Sequence, residues 1–139
     1  MATDGSTILL AATDPNRGAR YVRHPHARIW RSTDGGLTFS GAADVTDVED
    51  IGSLELIWAK SRWRLVYDAC PGFITCATPP RIWYTESTNG DQWSDATVLS
   101  DIGNVQTLGL VDSNFGLAAV WGIEAGPHNW AFHLARRSP

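Results

Sequence analysis

The chain has 139 residues, 43% of them hydrophobic, so it can form one domain with a real core. Its formal net charge is −4 and Lys60 is its only lysine, which leaves no basic field to hold a nucleic-acid backbone. No apolar run is long enough to cross a bilayer as a helix, and seven tryptophans are many for this length.

The opening Met1-Ala2-Thr3-Asp4-Gly5 has neither the basic region nor the apolar segment of a signal peptide. Thr7 to Asp14 is rich in apolar and β-branched residues and reads as a strand. A basic loop follows, Asp14 to His26, carrying Arg17, Arg20 and Arg23 with His24 and His26. The run Arg28-Ile29-Trp30 then leads into Ser32-Thr33-Asp34-Gly35-Gly36-Leu37-Thr38-Phe39. After an acidic loop (Asp44, Asp47, Glu49, Asp50), strands are predicted at Ser53–Trp58 and Trp63–Asp68, split by polar Lys60-Ser61-Arg62. Cys70 and Cys76 flank a Pro71-Gly72 turn, a spacing that permits a short disulfide-closed loop. Arg81–Thr85 is the next strand, then Ser87-Thr88-Asn89-Gly90-Asp91-Gln92-Trp93, then a strand near Ser94–Leu99. Beyond Asp101 and Asn104, strands are expected at Thr107–Val111, Phe115–Trp121 and Asn129–Leu134. The loop Gly122–Asn129 precedes the last of them and holds Glu124 and His128.

Two segments therefore repeat: Ser32, Asp34, Gly36 and Phe39 in the first, Ser87, Asn89, Gly90 and Trp93 in the second. Each has the chemistry of a hairpin turn, in which the Ser hydroxyl and Asp or Asn side chain bind backbone N–H groups, Gly takes positive φ and the aromatic closes over the sheet. The pattern resembles the Asp-box (BNR-repeat) of the sialidase-like β-propeller superfamily. That resemblance implies an all-β partial propeller of about two and a half four-stranded blades. The units are a partial blade over 1–48, a complete blade over 49–100 and a partial blade over 101–139, within a single domain. The first blade is expected to lack its inner strand and the last its outer one. Too few blades are present to close a ring, so either several copies, simplest as a homodimer, close one together, or the chain is a piece of a longer protein.

Within such a propeller the boxes are structural, and ligands belong at the opposite end of the sheets. Arg17, Arg20 and Arg23 are then candidates to clamp a carboxylate, with His128 and Trp130 across a subunit boundary, Trp130 stacking on a sugar ring. Weaker catalytic candidates are Asp50, Asp101 and Glu124, since glycoside hydrolysis needs two acids across a pocket. No cofactor or metal is expected; His24 and His26 read as loop residues. The leading function is a non-catalytic glycan-binding or interaction module acting as a homo-oligomer on acidic glycans. A reduced or truncated sialidase-like hydrolase and a purely structural assembly module are the alternatives. Location defaults to the cytoplasm, or to an extracellular or periplasmic compartment if Cys70 and Cys76 are bonded.

Overall fold

The computed structural model describes residues 1–14, 26–45, 51–70, 80–101, 105, 107–126 and 129–137. Among them are strands but no helix, and the sheets are antiparallel and none is closed. The first sheet runs β1 (Ala2–Thr3), β2 (Ile8–Asp14), β3 (His26–Ser32), β4 (Ser40–Asp44), each strand beside its predecessor. The second repeats this order with β5 (Ile51–Ala59), β6 (Arg62–Ala69), β7 (Arg81–Ser87) and β8 (Thr97–Ser100). The third holds β9 (Thr107–Ser113), β10 (Gly116–Gly126) and β11 (Asn129–Arg137).

The sequence reading leaves the first unit without an inner strand, whereas the structure places β1 there. Two residues show no periodicity, and a side-chain-built turn creates the strand. Asp4 Oδ1 accepts hydrogen bonds from Ser6 N at 2.8 Å and Thr7 N at 2.7 Å. Gly5 takes φ +99° between them, and the chain returns to pair Thr3 with Ile8.

The three sheets stack face to face with the second in the middle, because β6 is apolar on both sides. Leu65, Tyr67 and Ala69 join Leu9, Ala11, Ala27 and Ile29 of the first sheet in one core. Val66 on the opposite face joins Ile82, Tyr84, Leu110, Leu117, Ala119 and Trp121 in a second core shared with the third sheet. A strand buried on both faces reads as a near-continuous apolar run, which is how Trp63–Tyr67 appears in sequence.

Pairing registers reveal a repeat sharper than the sequence suggests. The β2–β3 pairs Ile8↔Ser32 and Asp14↔His26 recur in β6–β7 as Trp63↔Ser87 and Ala69↔Arg81, every residue displaced by 55 (8 to 63, 32 to 87). The triplets Arg28-Ile29-Trp30 and Arg81-Ile82-Trp83, alike in sequence, are therefore two residues out of step. Trp83 is the counterpart of Arg28, and Thr85 that of Trp30. The third sheet continues the pattern, with Leu56↔Leu65 answered by Leu110↔Ala119, both displaced by 54 (56 to 110, 65 to 119).

The β5–β6 hairpin turns on Lys60 and Ser61, which have φ of 50° and 59°. Two adjacent left-handed residues define the type I′ turn that suits the twist of a hairpin, but they strain any residue with a Cβ. Ser61→Gly is therefore expected to stabilise the fold by about 0.5–1 kcal/mol, after the extra freedom of glycine in the unfolded chain is set against the relieved strain. Chemical denaturation should show a raised midpoint with an unchanged slope. A lowered midpoint would mean that the strain at Ser61 is negligible.

Candidate functional site

The sheets share a common orientation, so the molecule has two distinct ends. At one end lie both repeated turns and the hairpins after β5 and β9. Ion pairs join neighbouring sheets there: Arg31 to Asp91 at 3.2 Å, Lys60 to Asp112 at 3.4 Å and Arg64 to Asp112 at 3.5 Å.

In the first turn Ser32 is buried. Its Oγ accepts from Gly36 N at 2.9 Å and donates to Asp34 Oδ1 at 2.7 Å. Asp34 in turn accepts from Thr38 N at 3.0 Å and Thr38 Oγ1 at 2.6 Å. The Thr38 hydroxyl, then the Thr38 amide and Ser32, hold the Asp34 carboxyl well below the usual carboxylate range. The second turn repeats this with a neutral amide. Ser87 Oγ accepts from Gly90 N at 2.8 Å, and Asn89 Oδ1 accepts from Asp91 N at 2.9 Å and Gln92 N at 3.0 Å. An amide oxygen serves because these donors require an acceptor and no charge.

The aromatic ends of the two turns behave differently. Trp93 packs against the core between the first two sheets, whereas Phe39 is exposed. Gly90 explains the closer docking of the second turn. It has φ +78°, and a Cβ there would lie 2.7 Å from Leu9 Cδ1 and 3.0 Å from an Arg31 guanidinium nitrogen of the first sheet. The Arg31 guanidinium also donates to the Asn89 carbonyl. Asp34 thus acts within a turn that ties strand to strand, and Asn89 within one that also ties sheet to sheet.

The opposite end carries a second set of polar groups. Arg28 on β3 bridges Asp14 at 2.6 Å and Asp44 at 3.3 Å, and lies 5.7 Å from the centre of the Trp30 ring. Asp101, just past β8, pairs with Arg81 at 3.1 Å while remaining largely in solvent. Glu124 is exposed on β10, opposite Trp130 in the ladder, where the register shifts between Glu124 and Gly126. Asp101 therefore follows the second sheet, whereas Glu124 lies in the third. Arg17, Arg20, Arg23, His128, Asp50, His24 and Cys76 lie outside the described residues, and of Trp130 only the strand position is described. Cys70 is buried and disulfide-bonded. Among the described residues no group of three or more His, Cys, Asp or Glu is placed to hold a metal ion.

Asp68, which sequence reasoning treated only as the end of a strand, is the one buried carboxylate at this end among the described residues. A register shift in β5 between Ile51 and Leu54 turns the Ser53 N–H out of the ladder and towards it. The carboxylate accepts from Ser53 N at the bulge, and the backbone of Val105, in the segment leading into β9, favours its charged form. Burial pushes its pKa up, against the lowering effect of these backbone donors. Gly52 is required beside it, since a Cβ there would stand 2.9 Å from Asp68 Oδ2. A signal existed in the sequence: an acid after five residues of a mostly apolar strand, with Gly52-Ser53 opposite it.

No protein family, curated protein or solved structure matches the chain.

Proposed function

We propose that this chain is a non-catalytic glycan-binding or interaction module of Asp-box propeller type, its sheets acting as blades and copies of the chain completing a ring. The observation that carries this reading is the repeated register. Sheets of the same pairing pattern stack in succession, and among the described residues no other sheet packs on the outer face of the first or of the third. The second turn of the Asp-box pattern is engaged in holding this stack together and the first in closing its own hairpin, which leaves the opposite end for recognition. On this reading Arg17, Arg20 and Arg23 would supply guanidinium forks for a carboxylate and Trp130 an indole for a sugar ring. A ring of copies repeats the site, and avidity compensates for weak single contacts.

A glycan array tests the reading. Sialylated or uronic-acid glycans are expected to be captured over neutral ones, and Arg20→Ala and Trp130→Ala should each weaken capture about tenfold, the loss of roughly one charge-assisted hydrogen bond or stacking contact. Turnover of a fluorogenic sialoside by the wild type, abolished at Glu124 or Asp50, would replace this reading with a hydrolase. The absence of both capture and turnover would leave assembly alone.

A further inference from the structure

We infer that the outward face of the third sheet is a docking surface for the outward face of the first sheet in a second copy of the same chain. This rests on the homo-oligomer reading and specifies which surfaces carry it.

The register repeat supplies the argument. Val66, Ile82 and Tyr84 form the face of the second sheet that the third sheet covers, and each is at most 1% exposed. Their counterparts one sheet later follow from the ladders: Val66↔Tyr84 and Asp68↔Ile82 become Val120↔Leu134 and Gly122↔Phe132. The positions are apolar again but uncovered, with Phe132 70% and Leu134 53% exposed. Val111, in the position of Ile57, extends the patch. Gly122 replaces the buried Asp68, and the Phe132 ring occupies the space beside it, where a Cβ would come within 3.2 Å of the ring edge. Large exposed apolar side chains clustered on one sheet face mark an interaction surface.

The partner surface is present in the chain itself. Within one copy, the third sheet meets the second through Leu117, Ala119 and Trp121, and the second meets the first through Trp63, Leu65 and Tyr67. The corresponding positions of the first sheet are Ile8, Leu10 and Ala12, which point away from the stack and are half-buried at most. Trp30, paired with Leu10, widens this face. The first sheet therefore presents outward the type of face that the second and third sheets use for docking. Two copies joined this way bury both surfaces twice, in a contact that continues the one within each chain.

Complementation distinguishes this pairing from others. Wild type should show a mass above one chain by light scattering at micromolar concentration. Phe132→Glu/Leu134→Glu, on exposed positions that leave the core intact, should shift it to a single chain with an unchanged circular dichroism spectrum. Ala12→Glu, with Trp30→Glu as a second variant of the same face, should do the same. An equimolar mixture of the two types of variant should recover a two-chain species, because one intact third-sheet face then meets one intact first-sheet face. A wild type of single-chain mass would overturn both the ring and the surfaces. An oligomeric wild type whose mass neither variant changes, or variants that fail to recover on mixing, would overturn the surfaces and leave the oligomer standing.

Discussion

Truncation of Trp63 to alanine is expected to cost about 3–5 kcal/mol, a large share of the stability of a domain this size. Trp63 is 1% exposed and is the largest fully buried side chain among the described residues. It opens the β6 face that docks on the first sheet, with its ring 4.9 Å from that of Trp58. Its indole Nε1 also lies near Gly90, where a Cβ would be 3.4 Å from it, so one side chain supports both the sheet-to-sheet core and the second turn. Removing the ring leaves a cavity bounded by strands that are already hydrogen-bonded on both sides, so the site has little freedom to collapse. Urea titration should show a much lower midpoint for Trp63→Ala and a smaller shift for Trp63→Phe, which keeps an aromatic ring in place. Trp58→Ala should cost less than Trp63→Ala, since Trp58 is only partly buried. Equal losses at the two positions would mean that the first two sheets are not coupled through Trp63.

The strands of the second sheet are legible in sequence because their cause is local. Predicted Ser53–Trp58 and Trp63–Asp68 lie within β5 and β6, and Arg81–Thr85 lies within β7. Strand-forming residues and the turn chemistry at Lys60-Ser61 and Ser87–Gly90 are properties of a few neighbouring residues. What escaped reading has causes distant in sequence. The Arg-Ile-Trp triplets look equivalent by composition, but register is set by the pairing of β2 with β3 and of β6 with β7, which places Thr85, not Trp83, at the position of Trp30. Asp68 becomes notable only when the bulge at Ser53 and the backbone of Val105 are brought to it. The exposure of Phe39 against the packing of Trp93 depends on a neighbouring sheet, and the second turn has one where the first does not. Asp101 and Glu124, chosen for their loops, share no strand pair that would set them against each other.

Asp68→Ala is expected to destabilise the fold by about 1–3 kcal/mol, since it leaves the Ser53 N–H without its acceptor. The pH dependence is more diagnostic, because two opposing effects act on this carboxylate. Burial disfavours its charged form and the backbone donors favour it; burial prevails, so its pKa is raised in the fold. A raised carboxylate contributes stability that is full below the ordinary Asp value and is lost as pH rises through the folded value. Asp4 and Asp34 behave in the opposite sense. Hydrogen bonds lower both, so their contribution is present above the ordinary value and is lost as pH falls. Comparing wild type with Asp68→Asn at each pH cancels Asp4 and Asp34 and isolates Asp68. Asparagine keeps an oxygen for one N–H but brings no charge, so the advantage of wild type should shrink as pH rises from the ordinary Asp value through the raised one. If that advantage instead grew with pH, the donors would outweigh burial and Asp68 would serve as a stabilised anion.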